Sequence, residues 1–97
     1  MIKQEILKRS GLNEASQEDM SYIERILYIM MEERVVPGIY KATFQNMKEN
    51  LESAKMSESE LRRYLQLAID LGYVERIDDK YFQMTQKAKK YISFRES

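Results

Sequence analysis

The stretch SESELRRYLQLAIDLG (residues 57–72), running on into YVERIDDKYFQMT (73–85) and QKAKKYI (86–92), decides how this chain folds. Ser57 and Glu60 form a capping box: the hydroxyl reaches the third amide of a helix and the carboxylate reaches back to the first. Leu61, Tyr64, Leu65, Leu67, Ala68 and Leu71 then recur at helical spacing and make one buried stripe. Gly72 supplies a left-handed stop. Beyond it the period changes to two. Val74 and Arg76 alternate with Glu75 and Ile77, and Phe82 and Met84 with Tyr81 and Gln83. The sequence therefore predicts a helix over 57–71, a hairpin over 73–85 turning at Asp78, Asp79 and Lys80, and a helix over 85–93 capped by Thr85. A two-residue and a three-residue loop give registers one residue apart, and three is preferred.

Upstream, Tyr40, Phe44, Met47, Leu51 and Ala54 are spaced by four and three, which predicts a second helix over 39–54. It is either continuous or broken near Asn46–Asn50. Val35 and Val36, before Pro37 and Gly38, are expected to add a short strand to the hairpin. Residues 20–34 form the most apolar helix, with Met20, Tyr22, Ile23, Ile26, Leu27, Ile29, Met30 and Met31 spread over roughly 200° of its circumference. One core needs little more than half of that arc. The remainder is expected to meet either an N-terminal helix carrying Ile2, Ile6 and Leu7, or a second copy, giving a homodimer through Met20–Arg34. Ser16 and Asp19 carry a helix-start signature at the end of an N-terminal extension, 1–19.

Ninety-seven residues, 43% apolar and 33% charged, suit one domain over 1–97. Cysteine and histidine are both absent. That removes disulfides, thiolate nucleophiles, the commonest general base and the commonest metal ligand. The expectation is no enzyme, no cofactor and no metal site. The longest apolar run, Ile26–Met31, is too short to span a bilayer, and a cytoplasmic protein without membrane contact is expected.

Sixteen basic residues balance sixteen acidic ones, which disfavours strong nonspecific binding to nucleic acid. Their distribution is uneven: Lys80, Lys87, Lys89, Lys90 and Arg95 occur with no acid between them. On the 57–71 helix, Ser59, Arg62, Arg63 and Gln66 fall within about 100° of one another, opposite the buried stripe. Arginine and glutamine can read guanine and adenine edges bidentately, and serine can meet base or phosphate. The competing reading is an ordinary solvated face, and Glu58 and Glu60 would repel phosphates. Lys80 and Lys87 are candidate phosphate contacts on the same terms. Asp78 and Asp79 read as turn formers rather than metal ligands, and Tyr64 and Tyr73 as edges of the core.

The run from Ser57 to Tyr91 resembles the core of the bacterial and archaeal winged helix-turn-helix transcription regulators. There the helix ends in a glycine and an apolar pair, here Gly72, Tyr73 and Val74. The second wing strand ends in an aromatic–x–aliphatic–Thr–x–Lys–Gly signature, here Phe82, Gln83, Met84, Thr85, Gln86, Lys87 and, in place of glycine, Ala88. The resemblance implies a mainly α fold with a small β-hairpin, and sequence-specific binding of double-stranded DNA as a dimer. Ser59, Arg62, Arg63 and Gln66 would lie on the recognition helix, with Arg76 and Lys80 of the wing near the backbone. A small DNA-binding transcriptional regulator is the expected function. The alternative is a winged-helix adaptor that binds protein and not DNA.

Overall fold

A computed structural model describes residues 16–32 and 38–96. Eight elements follow one another: helix α1 (Gln17–Glu32), strand β1 (Lys41–Thr43), the short helices α2 (Phe44–Lys48) and α3 (Leu51–Ala54), helix α4 (Glu58–Asp70), strands β2 (Val74–Arg76) and β3 (Tyr81–Met84), and helix α5 (Gln86–Glu96). The result is mostly helical with one small antiparallel sheet in the order β1-β3-β2. The expected helix over Met1–Arg9 and the Val35–Val36 strand lie outside the described residues.

α1 begins at Gln17 rather than Met20. The Asp19 amide donates to the Ser16 hydroxyl (3.0 Å) and the Ser16 amide to the Asp19 carboxylate (3.4 Å), so the cap sets the start. Its wide apolar arc has an intrachain explanation among the described residues. α1 is the central element: it packs against α4, the α2–α3 pair, β1 and β3 at once. Ile23, Ile26, Leu27, Ile29 and Met30 are buried, and Met20, Tyr22 and Met31 are packed at the margin. A helix enclosed from several sides needs apolar residues over most of its circumference. Each fully buried side chain contributes about 1.5–3 kcal/mol.

The predicted helix over 39–54 is corrected. Residues 41–43 form β1, paired with β3 in the register Lys41↔Gln83, Ala42↔Phe82 and Thr43↔Tyr81. The Met84 amide donates to the Tyr40 carbonyl (3.0 Å), extending the pairing by a residue. Thr43 ends the strand and caps α2, accepting from the Asn46 amide while the Asn46 side chain accepts from Thr43's own amide (both 3.0 Å). The helix then breaks at Glu49–Asn50, and Asn50 donates to the Asn46 carbonyl (2.9 Å) across the break. Phe44, Met47, Leu51 and Ala54 still share one face, and that face packs on the core.

Lys55, at φ +57°, turns the chain left-handed after α3, and the Met56 amide closes the turn on the Leu51 carbonyl (3.1 Å). α4 opens with the reciprocal Ser57–Glu60 box (3.1 and 2.9 Å). It ends where Gly72 takes φ +88°, with the Tyr73 amide donating to the Ala68 carbonyl and the Gly72 amide to that of Ile69. In the hairpin Val74 faces Met84 and Arg76 faces Phe82. The Ile77 amide bonds the Tyr81 carbonyl (2.9 Å), which leaves Asp78, Asp79 and Lys80 as a three-residue loop. α5, capped by Thr85, runs to Glu96, a turn further than the sequence suggested.

Candidate functional site

α4 is held by its inner face and by one buried-edge link to α1. Leu61, Tyr64, Leu65 and Ala68 are buried. Tyr64 stacks on Tyr22 of α1 with ring centroids 4.4 Å apart and planes 6° from parallel. The Tyr22 hydroxyl donates to the Glu60 carboxylate (3.1 Å), the same group that closes the cap on Ser57. The Ser57 amide, with help from Tyr22, holds the Glu60 carboxyl below the usual glutamate range, and the acceptor raises the Tyr22 hydroxyl above its ordinary value. One carboxylate therefore fixes both where α4 starts and how it is rotated about its axis. Glu60 does not face outward, so its charge is directed away from any ligand on the outer face.

All seven residues singled out in the sequence, Ser59, Arg62, Arg63, Gln66, Arg76, Lys80 and Lys87, are exposed. Four of them converge. Arg62 and Gln66 from α4, and Arg76 and Lys80 from the hairpin, line one open groove of ≈ 890 Å³. Phe44, Leu65, Ile69 and Phe82 form its apolar part. The Arg62 guanidinium lies 4.6 Å from the centre of the Phe44 ring, and that of Arg76 lies 5.2 Å from Phe82. Aromatic faces of this kind attract a cation and restrict its rotamers. The tip carrying Lys80 is also fixed, because the Asp78 carboxylate accepts from the amides of Lys80 (2.8 Å) and Tyr81 (2.9 Å). Those two bonds hold the Asp78 carboxyl below the usual range. Asp78 is a turn former here.

Acids share this surface. Arg62 donates to Glu58 (2.9 Å), which Lys48 also approaches (3.5 Å), and the Arg62 bond is the main cause of a lowered Glu58 carboxyl. Gln66 donates to Asp70 (3.0 Å), and Asp79 lines the groove beside Lys80. The Arg62–Glu58 and Gln66–Asp70 contacts are solvent-exposed and contribute little to stability.

The other three residues stand apart. Ser59 bonds Ser57 at 3.2 Å at the start of α4, and the Arg63 guanidinium lies 5.3 Å from the ring centre of its neighbour Tyr64; neither lines the groove. Lys87, expected on phosphates, is bonded within the fold. Its ammonium donates to the Leu71 carbonyl at the end of α4 (2.5 Å) and sits 4.6 Å from the Tyr73 ring. That is a cation on a helix C-terminus. Arg95, also in the basic C-terminal run, is paired with Glu24 of α1 (3.1 Å), and the Tyr91 hydroxyl donates to the same carboxylate (2.5 Å). Burial and this acceptor push the Tyr91 hydroxyl up to about 12. Tyr73, half-buried, leans on Tyr91 with ring centroids 5.5 Å apart. The basic end of the sequence is thus not one basic surface.

The groove also contains residues the sequence did not single out: Thr43, Phe44 and Gln45, delivered by the β1–α2 junction. The Thr-x-x-Asn spacing of Thr43 and Asn46 was the available signal, an asparagine version of the box found at Ser57. Among the described residues no helix is long and apolar enough to cross a membrane. No protein-family model, no curated protein and no solved structure matches this chain.

Proposed function

We propose that this domain is a winged helix that binds double-stranded DNA and regulates transcription. The observation that carries the reading is the convergence of Arg62, Gln66, Arg76 and Lys80, from two elements distant in sequence, on one open groove beside an exposed helix face. The element order supports it: a helix, a strand, a pair of short helices, a longer helix and a hairpin, with the first strand paired beside the second hairpin strand. α4 is about 20 Å long. A helix of ordinary width fits the major groove of B-DNA, with Ser59 and Arg63 toward the bases and the hairpin beside the backbone. A dimer through α1 is not included, because all eight residues of its apolar arc are buried or half-buried inside the chain.

Selection of bound duplexes from a random pool at physiological salt tests the proposal. An enriched motif is expected, lost when Arg62 and Arg63 are both changed to alanine. A pool that stays random, from a protein that also flows through a heparin column, would reject it. A protein-binding adaptor is the second reading. It is favoured by one observation, that Glu58 and Asp70 already occupy Arg62 and Gln66. It predicts capture of a folded partner with no retention on heparin.

A further inference from the structure

We infer that the groove between α4 and the hairpin seats the sugar–phosphate backbone of one DNA strand, with Arg62 a phosphate contact and not a reader of bases. The inference rests on the DNA-binding reading and divides its residues into two sets. Arg62 shares its helix face with Arg63 in sequence, yet the fold separates them. Arg62 lies against Phe44 in the wall of the groove, on the α4 side, while Arg76 and Lys80 enter from the hairpin side. Three cations and one carboxylate, Asp79, line the groove, and two further carboxylates, Glu58 and Asp70, meet Arg62 and Gln66 at its α4 edge.

The shape favours a strand over a base edge. A base edge is reached by a side chain that projects from a convex helix surface into the major groove. Arg62 instead lines a concave wall, its guanidinium carbon 4.6 Å from the centre of the Phe44 ring. Arg76 lies in the same way by Phe82. Two guanidinium forks oriented before binding lose less freedom when each meets a phosphate. The apolar part, Phe44, Leu65, Ile69 and Phe82, suits the carbon faces of the deoxyribose between successive phosphates. Glu58 now occupies the Arg62 fork, and a phosphate would take the position of that carboxylate. Base reading then falls to Ser59 and Arg63, which are exposed and outside the groove.

The test compares Arg62→Ala with Arg63→Ala in fluorescence anisotropy titrations against a selected duplex and a scrambled one, over a range of salt. Arg62→Ala is expected to weaken both duplexes by the same factor and to lower the slope of log K against log salt by about 1. Arg62→Lys, which keeps the charge, restores the slope. Arg63→Ala is expected to reduce the preference for the selected duplex. If Arg62→Ala removes the preference at a base pair and leaves the slope unchanged, the inference is overturned while DNA binding stands. A wild-type chain that binds no duplex overturns both, and titration with inorganic pyrophosphate, read from the Arg62 and Arg76 side-chain NMR signals, shows which part failed. Shifts confined to these arginines would keep the groove as a phosphate site for another ligand; no shifts would discard it.

Discussion

The protein has two clusters of cations, and they do different work. In the groove, Arg62 and Arg76 rest on phenylalanine rings and Lys80 stands on a fixed hairpin tip, their charged ends open to solvent. On α5, Lys87 closes the carbonyl end of α4 and Arg95 ties α5 to α1 through Glu24. By charge alone the C-terminal run looks the stronger candidate for phosphate binding. The arrangement reverses that order. What makes a cation available is the bond its head group already makes: an exposed carboxylate on a neighbouring turn is a replaceable partner, and a helix terminus is not.

The largest effect should come from setting the two clusters against each other. Changing Arg62 and Arg76 together to alanine is expected to weaken duplex binding roughly a hundredfold near 0.1 M salt, from the counterions no longer released. Thermal stability should barely move. Changing Lys87 and Arg95 together to alanine is expected to do the opposite: affinity within about twofold, and stability lower by about 1 kcal/mol, nearly all of it from Lys87 at the α4 C-terminus. Anisotropy and denaturant melts on the same preparations check both. Equal losses of affinity in the two doubles would erase the distinction.

Tyr91 gives a middle-sized effect that probes the α5 side alone. Its hydroxyl donates to Glu24, and its titration is pushed from the ordinary tyrosine value near 10 to about 12. The folded state therefore holds this proton more tightly than the unfolded chain. The resulting stability is complete below about pH 10 and is lost as pH rises from there to 12. Tyr91→Phe is expected to cost about 1.5 kcal/mol at neutral pH, the size of a hydrogen bond to a charged acceptor. It should also flatten the alkaline fall in urea midpoints over that window, because the titrating group is gone. A variant as stable as the parent at neutral pH would mean that the Tyr91–Glu24 bond adds nothing to the apolar packing of Ala88 and Ile92 that docks α5.

The two clusters also mark how far the amino-acid sequence could be read. From Ser57 to Thr85 the determinants are local. Ser57 and Glu60 cap within one turn, Gly72 takes the positive φ that a side chain would resist, and strict alternation gives both strands while leaving two loop lengths, of which the fold takes the three-residue one. From Ile39 to Asn50 they are not. Tyr40 and Phe44 stand four apart, as in a helix, but the Tyr40 carbonyl is taken by Met84 from the far end of the chain. That partner outweighs spacing, and it places Thr43, Phe44 and Gln45 in the groove. Lys87 and Arg95 have partners that spacing does not reveal, for a related reason. Sequence shows a charge but not the carbonyl or carboxylate that tertiary structure brings to it. Arg62 and Arg63 are adjacent, yet Arg62 meets Phe44 and Glu58 while Arg63 lies by Tyr64.

The smallest effect is also the one that bears most directly on the groove. Glu58 holds the Arg62 fork at 2.9 Å, with Lys48 3.5 Å away on its other side. Arg62 holds the Glu58 carboxyl below the usual range, so at neutral pH the carboxylate is ionised and competes with any incoming phosphate. The sign follows from the lowered value: the pair is intact above the ordinary glutamate range and is lost only as pH falls through the depressed one. Glu58→Gln reproduces the protonated state at neutral pH. It keeps the side-chain length, leaves the Ser57–Glu60 cap untouched and removes one negative charge beside the groove. Duplex affinity is expected to rise roughly two- to fivefold, the scale of exposed charge pairs, with no gain once Arg62 is already alanine. A double-mutant cycle in anisotropy measures that coupling. Were Glu58→Gln to strengthen binding equally with and without Arg62, the carboxylate would be acting through the general field of the surface, and Arg62 would have no phosphate to exchange it for.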